Sequence, residues 1–246
     1  MNNKARFFII ASTSFLVIIS ITTLFSIDIA HKTSAQISEF KPTIIIDAGH
    51  GGEDSGAVSN DNNILEKNIN LNISMILKDI FLSNGFDVVM TRESDISLHD
   101  SNATDHKKQS DLKNRVEVFN NSQNNIVISI HQNKFTQEKY SGTQIFYSAY
   151  CDKSSDLAQK VKSSVVSLLQ PKNERECKQA GSEIFVLDNA RVPAIMVECG
   201  FLSNESEAQK LNDKNYQSQL AYCIYLGFLE YYYTNYWNRM IKWQVK

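Results

Sequence analysis

The chain has 246 residues, of which 42% are hydrophobic and 21% are charged, as expected for one ordinary globular domain with extra segments at its ends. The formal net charge is -2, and no basic stripe interleaved with aromatic residues is present, so nucleic-acid binding is disfavoured. Only nine glycines and three prolines occur, which argues against low-complexity and solenoid architectures.

The amino terminus differs in character from the rest of the chain. Lys4 and Arg6 precede an uncharged, mostly apolar run from Phe7 to Ile27, which is the pattern of an export signal and is long enough to cross a bilayer. A small-residue motif at residues 33–35 offers a cleavage site, so both a cleaved signal and a retained anchor are open. The positive-inside rule places everything after Asp28 outside the membrane.

The predicted organisation has four parts. Residues 1–30 form a signal or membrane-anchor segment, residues 31–41 a linker, residues 42–235 a single globular domain, and residues 236–246 an aromatic and basic tail. Packing against the domain is one interpretation of the tail, and contact with a partner or a membrane surface is the other.

Within the domain, short apolar β-branched runs alternate with amphipathic helical patterns. The runs predict strands at residues 43–46, 86–91, 125–130, 143–147, 184–187 and 194–198. The amphipathic patterns predict helices at residues 66–83, 112–119, 157–169, 204–211 and 216–233. This alternation predicts an α/β fold: an open, mostly parallel twisted sheet of about six strands with helices on both faces. The long polar loop from residue 92 to residue 110 is typical of a site border or lid.

Three predicted strands each end at a residue that can carry chemistry. The first runs into a glycine-rich turn with His50, the strand at residues 125–130 delivers His131, and the strand at residues 194–198 delivers Glu198. Parallel strands present their carboxyl ends at one edge of a sheet, where ligands bind, so these three side chains are expected to converge. Two histidines and a nearby carboxylate have the composition of a catalytic zinc site, which needs a third ligand.

The third ligand is not fixed by the pattern alone. Glu66 begins the helix after the first loop, so its side chain can point back over the strand end that carries His50. Glu53 and Asp54 compete with it, and either can instead orient a histidine through a hydrogen bond. An ordinary first-turn glutamate favoured by the helix dipole is the structural alternative for Glu66.

Glu198 is predicted to act as general acid and base. Zinc lowers the pKa of a water molecule that it binds, so one carboxylate within hydrogen-bond reach suffices to move protons in amide hydrolysis. His99 and His106, in the polar loop, are interpreted as solvated. The chain contains no Walker A, HExxH or G-x-S-x-G motif.

Four cysteines allow three full disulfide pairings, but none has the spacing of a metal site. Disulfides are not predicted. Cys199 follows a strand residue and Cys223 lies in a helical pattern, and both are expected to be small buried hydrophobes.

Five short motifs, in order and spacing, resemble the zinc-dependent N-acetylmuramoyl-L-alanine amidases of the type 3 class. They are Asp47-Ala48-Gly49-His50-Gly51-Gly52, Leu65-Glu66, Leu112-x-x-Arg115, Ser129-Ile130-His131 and Val197-Glu198-x-Gly200-Phe201. The resemblance covers about residues 43–233. It implies zinc held by His50, Glu66 and His131, with Glu198 catalytic, and it favours Glu66 over Glu53. The implied reaction is cleavage of the amide between N-acetylmuramic acid and the L-alanine of the stem peptide.

Within that class, the chain looks like the sporulation and germination amidases of Gram-positive spore formers. The runs that carry this likeness are Ile130 to Asn133, Gly142 to Tyr147 and Glu198 to Asn204. The likeness implies an exported enzyme at the forespore cortex, stem-peptide removal before muramic δ-lactam formation, and a lipoprotein partner. The usual family has alanine where this chain has Gln132, a difference expected to change the substrate groove and leave the ligand set intact.

Two other functions remain open on the residues alone. A zinc peptidase that cuts within the stem peptide would use the same metal, water and glutamate. A metal-free wall-binding scaffold would keep the fold, although a binder has no need of a general base at Glu198.

Overall fold

The structure is a computed structural model that describes Asn2, residues 19–24, Ser26, residues 41–61 and residues 63–237. The chain divides into two compact units, Met1–Lys41 and Pro42–Lys246. Residues 19–24 of the first unit are helical and exposed. Among the described residues, no helix is both long enough and apolar enough to span a membrane. The predicted signal or anchor segment and linker lie largely outside the described residues, as do residues 238–246 of the predicted tail.

The second unit alternates strands and helices as the sequence predicts. Its strands are β1 (Thr43–Ala48), β2 (Asp87–Met90), β3 (Asn125–Asn133), β4 (Gln144–Tyr147), β5 (Lys178–Gln179) and β6 (Ala194–Phe201). Its helices are α1 (Glu66–Ser83), α2 (Lys107–Asn120), α3 (Lys153–Leu168), α4 (Phe185–Asp188), α5 (Glu205–Leu211) and α6 (Lys214–Tyr232), followed by a π-helical turn at Tyr233–Trp237. Asn204 caps α5 by accepting a hydrogen bond from the Glu207 amide.

The six strands form one open sheet in the order β2-β1-β3-β6-β4-β5. Strands β2, β1, β3 and β6 are parallel, whereas β4 runs antiparallel to β6 and parallel to β5. The predicted α/β class and mostly parallel sheet are therefore confirmed. The predicted strand at residues 184–187 is wrong, because these residues form the short helix α4 and the edge strand is β5. A four-residue apolar run has no periodicity that separates a buried helical turn from a buried strand.

Helices cover both faces of the sheet, because the central strands are apolar on both sides. One face buries Ile44, Ile126 and Ile195 against α1, α3 and α6. The other buries Ile45, Val127 and Met196 against α2 and α4. Nearly every residue of β1, β3 and β6 is buried, as expected for parallel strands at the centre of a covered sheet.

The register of the central strands positions the site. Ala48 of β1 pairs with Ile130 of β3, and the next residue of β3, His131, pairs with Glu198 of β6. The carboxyl ends of three neighbouring strands therefore lie side by side, which is the place where open α/β sheets bind ligands.

Candidate active site

The turn after β1 holds His50 in a strained backbone conformation. His50 has a φ of 61°, a value that non-glycine residues rarely adopt, and its carbonyl accepts a hydrogen bond of 2.8 Å from Arg115 Nη2. Gly51 and Asp54 exchange backbone hydrogen bonds of 3.0 and 3.1 Å, which close the turn. Strain of this kind persists only where the surroundings enforce it, and it is common at functional sites.

Glu66 is a buried carboxylate at the first residue of α1, only 2% exposed. The backbone amides of Ala57 and Gln132 donate to its two oxygens at 2.6 and 3.0 Å, and Asn70 Nδ2 donates at 3.2 Å. Since a buried charge is costly without such partners, these donors fix both the charge and the direction of the side chain. Although burial raises the pKa of Glu66, hydrogen bonds with His131 and His50 hold it well below its usual range.

His50, Glu66 and His131 converge so that one donor atom from each lies within 4.8 Å of the other two. Glu66 Oε1 is 3.2 Å from His50 Nε2 and 3.0 Å from His131 Nδ1, and the two imidazole rings are 4.9 Å apart between centroids. Two imidazole nitrogens and one carboxylate are the number and type of ligands in a catalytic zinc site with an open position. The residues present therefore fit a zinc ion.

Asp54 orients the first histidine, whereas Glu53 does not. His50 Nδ1 donates to Asp54 Oδ2 at 2.9 Å, which leaves Nε2 facing Glu66. Burial lowers the pKa of His50, but the hydrogen bonds to Asp54 and Glu66 outweigh it and raise the pKa to about 9. The bond from His50 holds the pKa of Asp54 below its usual range. Glu53 is exposed and pairs with Lys107.

Glu198 lies beside this cluster and is the one member of the site with a raised carboxyl pKa. Its Oε2 is buried and has no hydrogen-bond partner among the described residues, and burial raises its pKa to about 7, with a further contribution from the charge of Glu66. His131 acts in the opposite direction. A carboxyl group that titrates near neutrality can both accept and give a proton.

Two glycines make room for the ligands. A Cβ on Gly49 would collide with the imidazole ring of His131. Gly56 has a φ of +66°, and a Cβ there would lie 2.6 Å from Glu66 Oε2 and 2.7 Å from His50 Cδ2. Only glycine allows the backbone to approach the site this closely.

A buried charge network behind the site was not predicted from the sequence. Arg115 donates to Asp47 at 2.6 Å and to Asp111 at 2.7 Å, and both Asp47 and Arg115 are at most 2% exposed. Arg92, which the sequence analysis placed in a polar loop, is also 2% exposed and donates to the carbonyls of Ala48 and Gly49. The feature of the sequence that could have indicated this burial is that Arg92 directly follows the apolar strand predicted at residues 86–91.

The other predicted residues occupy peripheral positions. His106 is exposed and His99 is half-buried with its ring on Ser97 Oγ. Cys199 and Cys223 are buried as predicted, and all four cysteines have free thiols. Gln132 is buried and its side-chain amide donates to Asn70, so it supports Glu66 from behind, and its expected effect on the substrate groove stays a prediction.

A cavity of about 240 Å³ opens beside the cluster. His50 and His131 line it on one side, and α2 and α4 supply the other walls with Leu112, Phe185 and Val186. It offers space next to the candidate metal ligands for a substrate with both polar and apolar groups.

Comparison with known proteins gives matches over the same unit. The chain matches the N-acetylmuramoyl-L-alanine amidase family over residues 44–230, which include all four site residues. It is 35% identical over 191 residues to the germination-specific N-acetylmuramoyl-L-alanine amidase of Bacillus subtilis, covering 77% of this chain and 79% of that relative. The CwlD amidase of Clostridioides difficile, solved in complex with the GerS lipoprotein, aligns with a TM-score of 0.76 and 39% identity over 79% of this chain and 100% of that one. An N-acetylmuramoyl-L-alanine amidase from Clostridium difficile 630 aligns with a TM-score of 0.69 and 34% identity over 79% and 98%.

Proposed function

Because the chain belongs to the N-acetylmuramoyl-L-alanine amidase family and is a peptidoglycan hydrolase, we propose that it uses zinc, held by His50, Glu66 and His131, with Glu198 as general acid and base. The observation that carries this proposal is the convergence of the three donor atoms within 4.8 Å, beside a carboxyl group whose pKa is about 7. The bond cleaved is the amide between the lactyl group of N-acetylmuramic acid and L-alanine.

Zinc in such a site lowers the pKa of a water molecule and polarises a carbonyl group. Glu198 then accepts a proton from the attacking water and gives it to the amide nitrogen of L-alanine as the C–N bond breaks. The unpartnered Oε2 of Glu198 is available for both transfers. Asp54 keeps the proton of His50 on Nδ1, so that Nε2 presents a lone pair to the metal.

The test is zinc content and muropeptide release by the purified full-length chain beside Glu198→Gln and His131→Ala. We expect wild type and Glu198→Gln to bind zinc, and only wild type to release stem peptides with a free L-alanine amino end. His106→Ala, which removes an exposed histidine, serves as the matched control and should behave as wild type. The assignment would be overturned if the wild type bound no zinc and neither substitution changed the activity. Products cut within the stem would instead support a peptidase.

The biological setting follows from the relatives. The germination-specific amidase of Bacillus subtilis and the CwlD amidase in complex with the GerS lipoprotein support a role in germination with a lipoprotein partner. We propose that this chain acts on spore cortex, where it removes stem peptides before muramic δ-lactam formation. Cell-wall amidases act outside the cytoplasm, and the amino-terminal apolar run provides for export or anchoring there. Cortex from a deletion strain, complemented with wild type or Glu198→Gln, should contain muramic δ-lactam only with wild type.

A further inference from the structure

A second, larger groove of about 710 Å³ lies near the carboxyl end of β6, between the loop before β4, α5 and the segment that follows α3. Four cations line it: Lys139, Lys172, Arg175 and Lys210. The two carboxylates in its lining are Glu174 and Glu207. Glu207 accepts hydrogen bonds from the amides of Gly142 and Phe201 at 2.7 and 2.8 Å, so backbone donors already offset its charge. The groove therefore presents a surplus of positive charge.

Arg175 is the organised member of this set. Its guanidinium carbon lies 4.5 Å from the ring centroid of Phe201 and 5.6 Å from that of Tyr140, and its Nε donates to the carbonyl of Ser141 at 2.8 Å. No ion pair to a carboxylate and no hydrogen bond from its two Nη nitrogens occurs within the described part of the chain. A guanidinium held over two aromatic rings, with both Nη groups unused among the described residues, has two parallel N–H donors that match the two oxygens of a carboxylate.

The groove is within reach of a substrate bound at the metal ligands. Phe201 follows Glu198 by three residues on β6 and pairs with Asn133, two residues after His131. At a rise of roughly 3.3 Å per residue, Phe201 lies on the order of 10 Å along β6 from Glu198, and the Arg175 guanidinium lies over its ring. An extended peptide advances about 3.3–3.6 Å per residue, so the third residue of a stem lies about 7 Å beyond the scissile L-alanine, and an acidic side chain on the second or third residue extends further towards the groove.

We propose that the Arg175 groove binds a carboxylate on the second or third residue of the stem peptide and so selects acidic stems. This inference rests on the proposed function, since it takes the scissile amide to lie at His50, Glu66 and His131. Arg175 is here a specificity residue that contacts substrate and takes no part in bond cleavage.

The test compares two soluble N-acetylmuramoyl peptides that differ in one group, a free carboxylate or its carboxamide, at the second or third residue. With the zinc-loaded full-length chain, kcat/KM should favour the carboxylate. Arg175→Gln should lower that preference about tenfold, mainly through KM, because a charge-assisted hydrogen bond is lost. Arg175→Lys should recover it only in part. Arg191→Gln is the matched control, since Arg191 also stacks on a tyrosine, 4.1 Å from the Tyr150 centroid, but lies outside the groove.

Calorimetric binding of the released acidic tripeptide, which needs no turnover, separates this inference from the proposed function. Binding that weakens in Arg175→Gln and not in Arg191→Gln supports the groove assignment even if the wild type were inactive. Equal preference and equal peptide binding in wild type and Arg175→Gln would overturn it. If Arg175→Gln lost binding to the lipoprotein partner while its substrate preference and peptide binding stayed as in the wild type, the proposal would also be overturned, and the groove would be a protein interface. Lys172→Gln, at an exposed position in the same lining, should shift the preference in the same direction without disturbing the stack.

Discussion

Replacing Asp54 by asparagine should weaken zinc binding about tenfold and leave the fold unchanged. Asp54 accepts a hydrogen bond from His50 Nδ1 at 2.9 Å, so that Nε2, on the side of Glu66, is the nitrogen left to bind a metal once it loses its proton. Loss of such an outer carboxylate typically costs 10–100-fold in metal affinity. Because the Asp54 side chain is 41% exposed, solvent screens its charge and the effect should lie at the low end, about 1.4 kcal/mol.

The assay is competition between the full-length chain and a chromophoric chelator for zinc, with circular dichroism to check the fold. Glu53→Gln is the matched control, because Glu53 is an adjacent acidic residue of the same turn that pairs only with Lys107 among the described residues. Asparagine keeps an oxygen for the Gly56 amide, which Asp54 Oδ1 accepts at 3.1 Å. Equal zinc affinities for wild type, Asp54→Asn and Glu53→Gln would refute the orienting role.

Four further outcomes follow from the geometry. Arg115→Met should lower the free energy of unfolding by about 3–5 kcal/mol in urea titrations, because it leaves Asp47 as an unpaired buried charge, whereas the exposed Lys113→Met on the same helix should not. The pKa of Asp47 in the folded state lies below its ordinary 3.8, so the Asp47 carboxylate stabilises the fold above pH 3.8 and loses this contribution as the pH falls through the folded-state pKa. Below about pH 4, the urea midpoint of Asp47→Asn should therefore vary less with pH than that of the wild type. Gly56→Ala should abolish zinc binding, measured by metal content, because a methyl group would lie 2.6 Å from a ligand oxygen at a φ of +66°. Finally, kcat/KM should fall as the pH drops below a pKa at or below about 7, because protonation of Glu198 removes the base and a bound cation lowers the pKa of that carboxyl. If the residual activity of Glu198→Gln showed the same fall at acid pH, this assignment would be refuted.

The strand ends were predictable because parallel sheets leave few places for such residues. An apolar β-branched run followed by a histidine, as at Ile130 and His131, specifies both the element and the edge at which its last residue emerges. Glu66 was less determined. The pattern showed only that it begins a helix, and its proposed role as a ligand depends on hydrogen bonds from Ala57 and Gln132 that no local pattern reveals.

The features that the sequence did not predict have one physical cause, which is contact between residues distant in sequence. Arg92 looked like a solvated loop arginine because its partners, the carbonyls of Ala48 and Gly49, are more than 40 positions away. Residues 184–187 became helix because tertiary packing decides the conformation of a short apolar run. The loop after β2 is likewise tied to the turn after β1 by Asp95, which accepts from the amide of Gly52 and from Lys67.

The buried arginines explain how a strained turn is kept in place. The carbonyls of three consecutive residues, Ala48, Gly49 and His50, all accept hydrogen bonds from Arg92 or Arg115. The chain leaves the sheet after Ala48, so the carbonyls of the turn need donors from outside the strands, and Asn70 Nδ2 adds one to Gly49 at 3.1 Å. The guanidiniums supply the missing donors and hold His50 at its positive φ.

Two guanidiniums next to a metal centre would also repel a cation, and the acidic residues of the network resolve this conflict. Asp47 and Asp111 pair with Arg115 at 2.6 and 2.7 Å. The two positive charges of Arg92 and Arg115 are therefore matched by two negative charges in the interior. Glu66 and Asp54 remain, one as a proposed ligand and one behind His50, and their two negative charges would match those of a bound dication. In the proposed zinc site, these two carboxylates would attract the cation, while Asp47 and Asp111 cancel the field of the arginines that shape the turn.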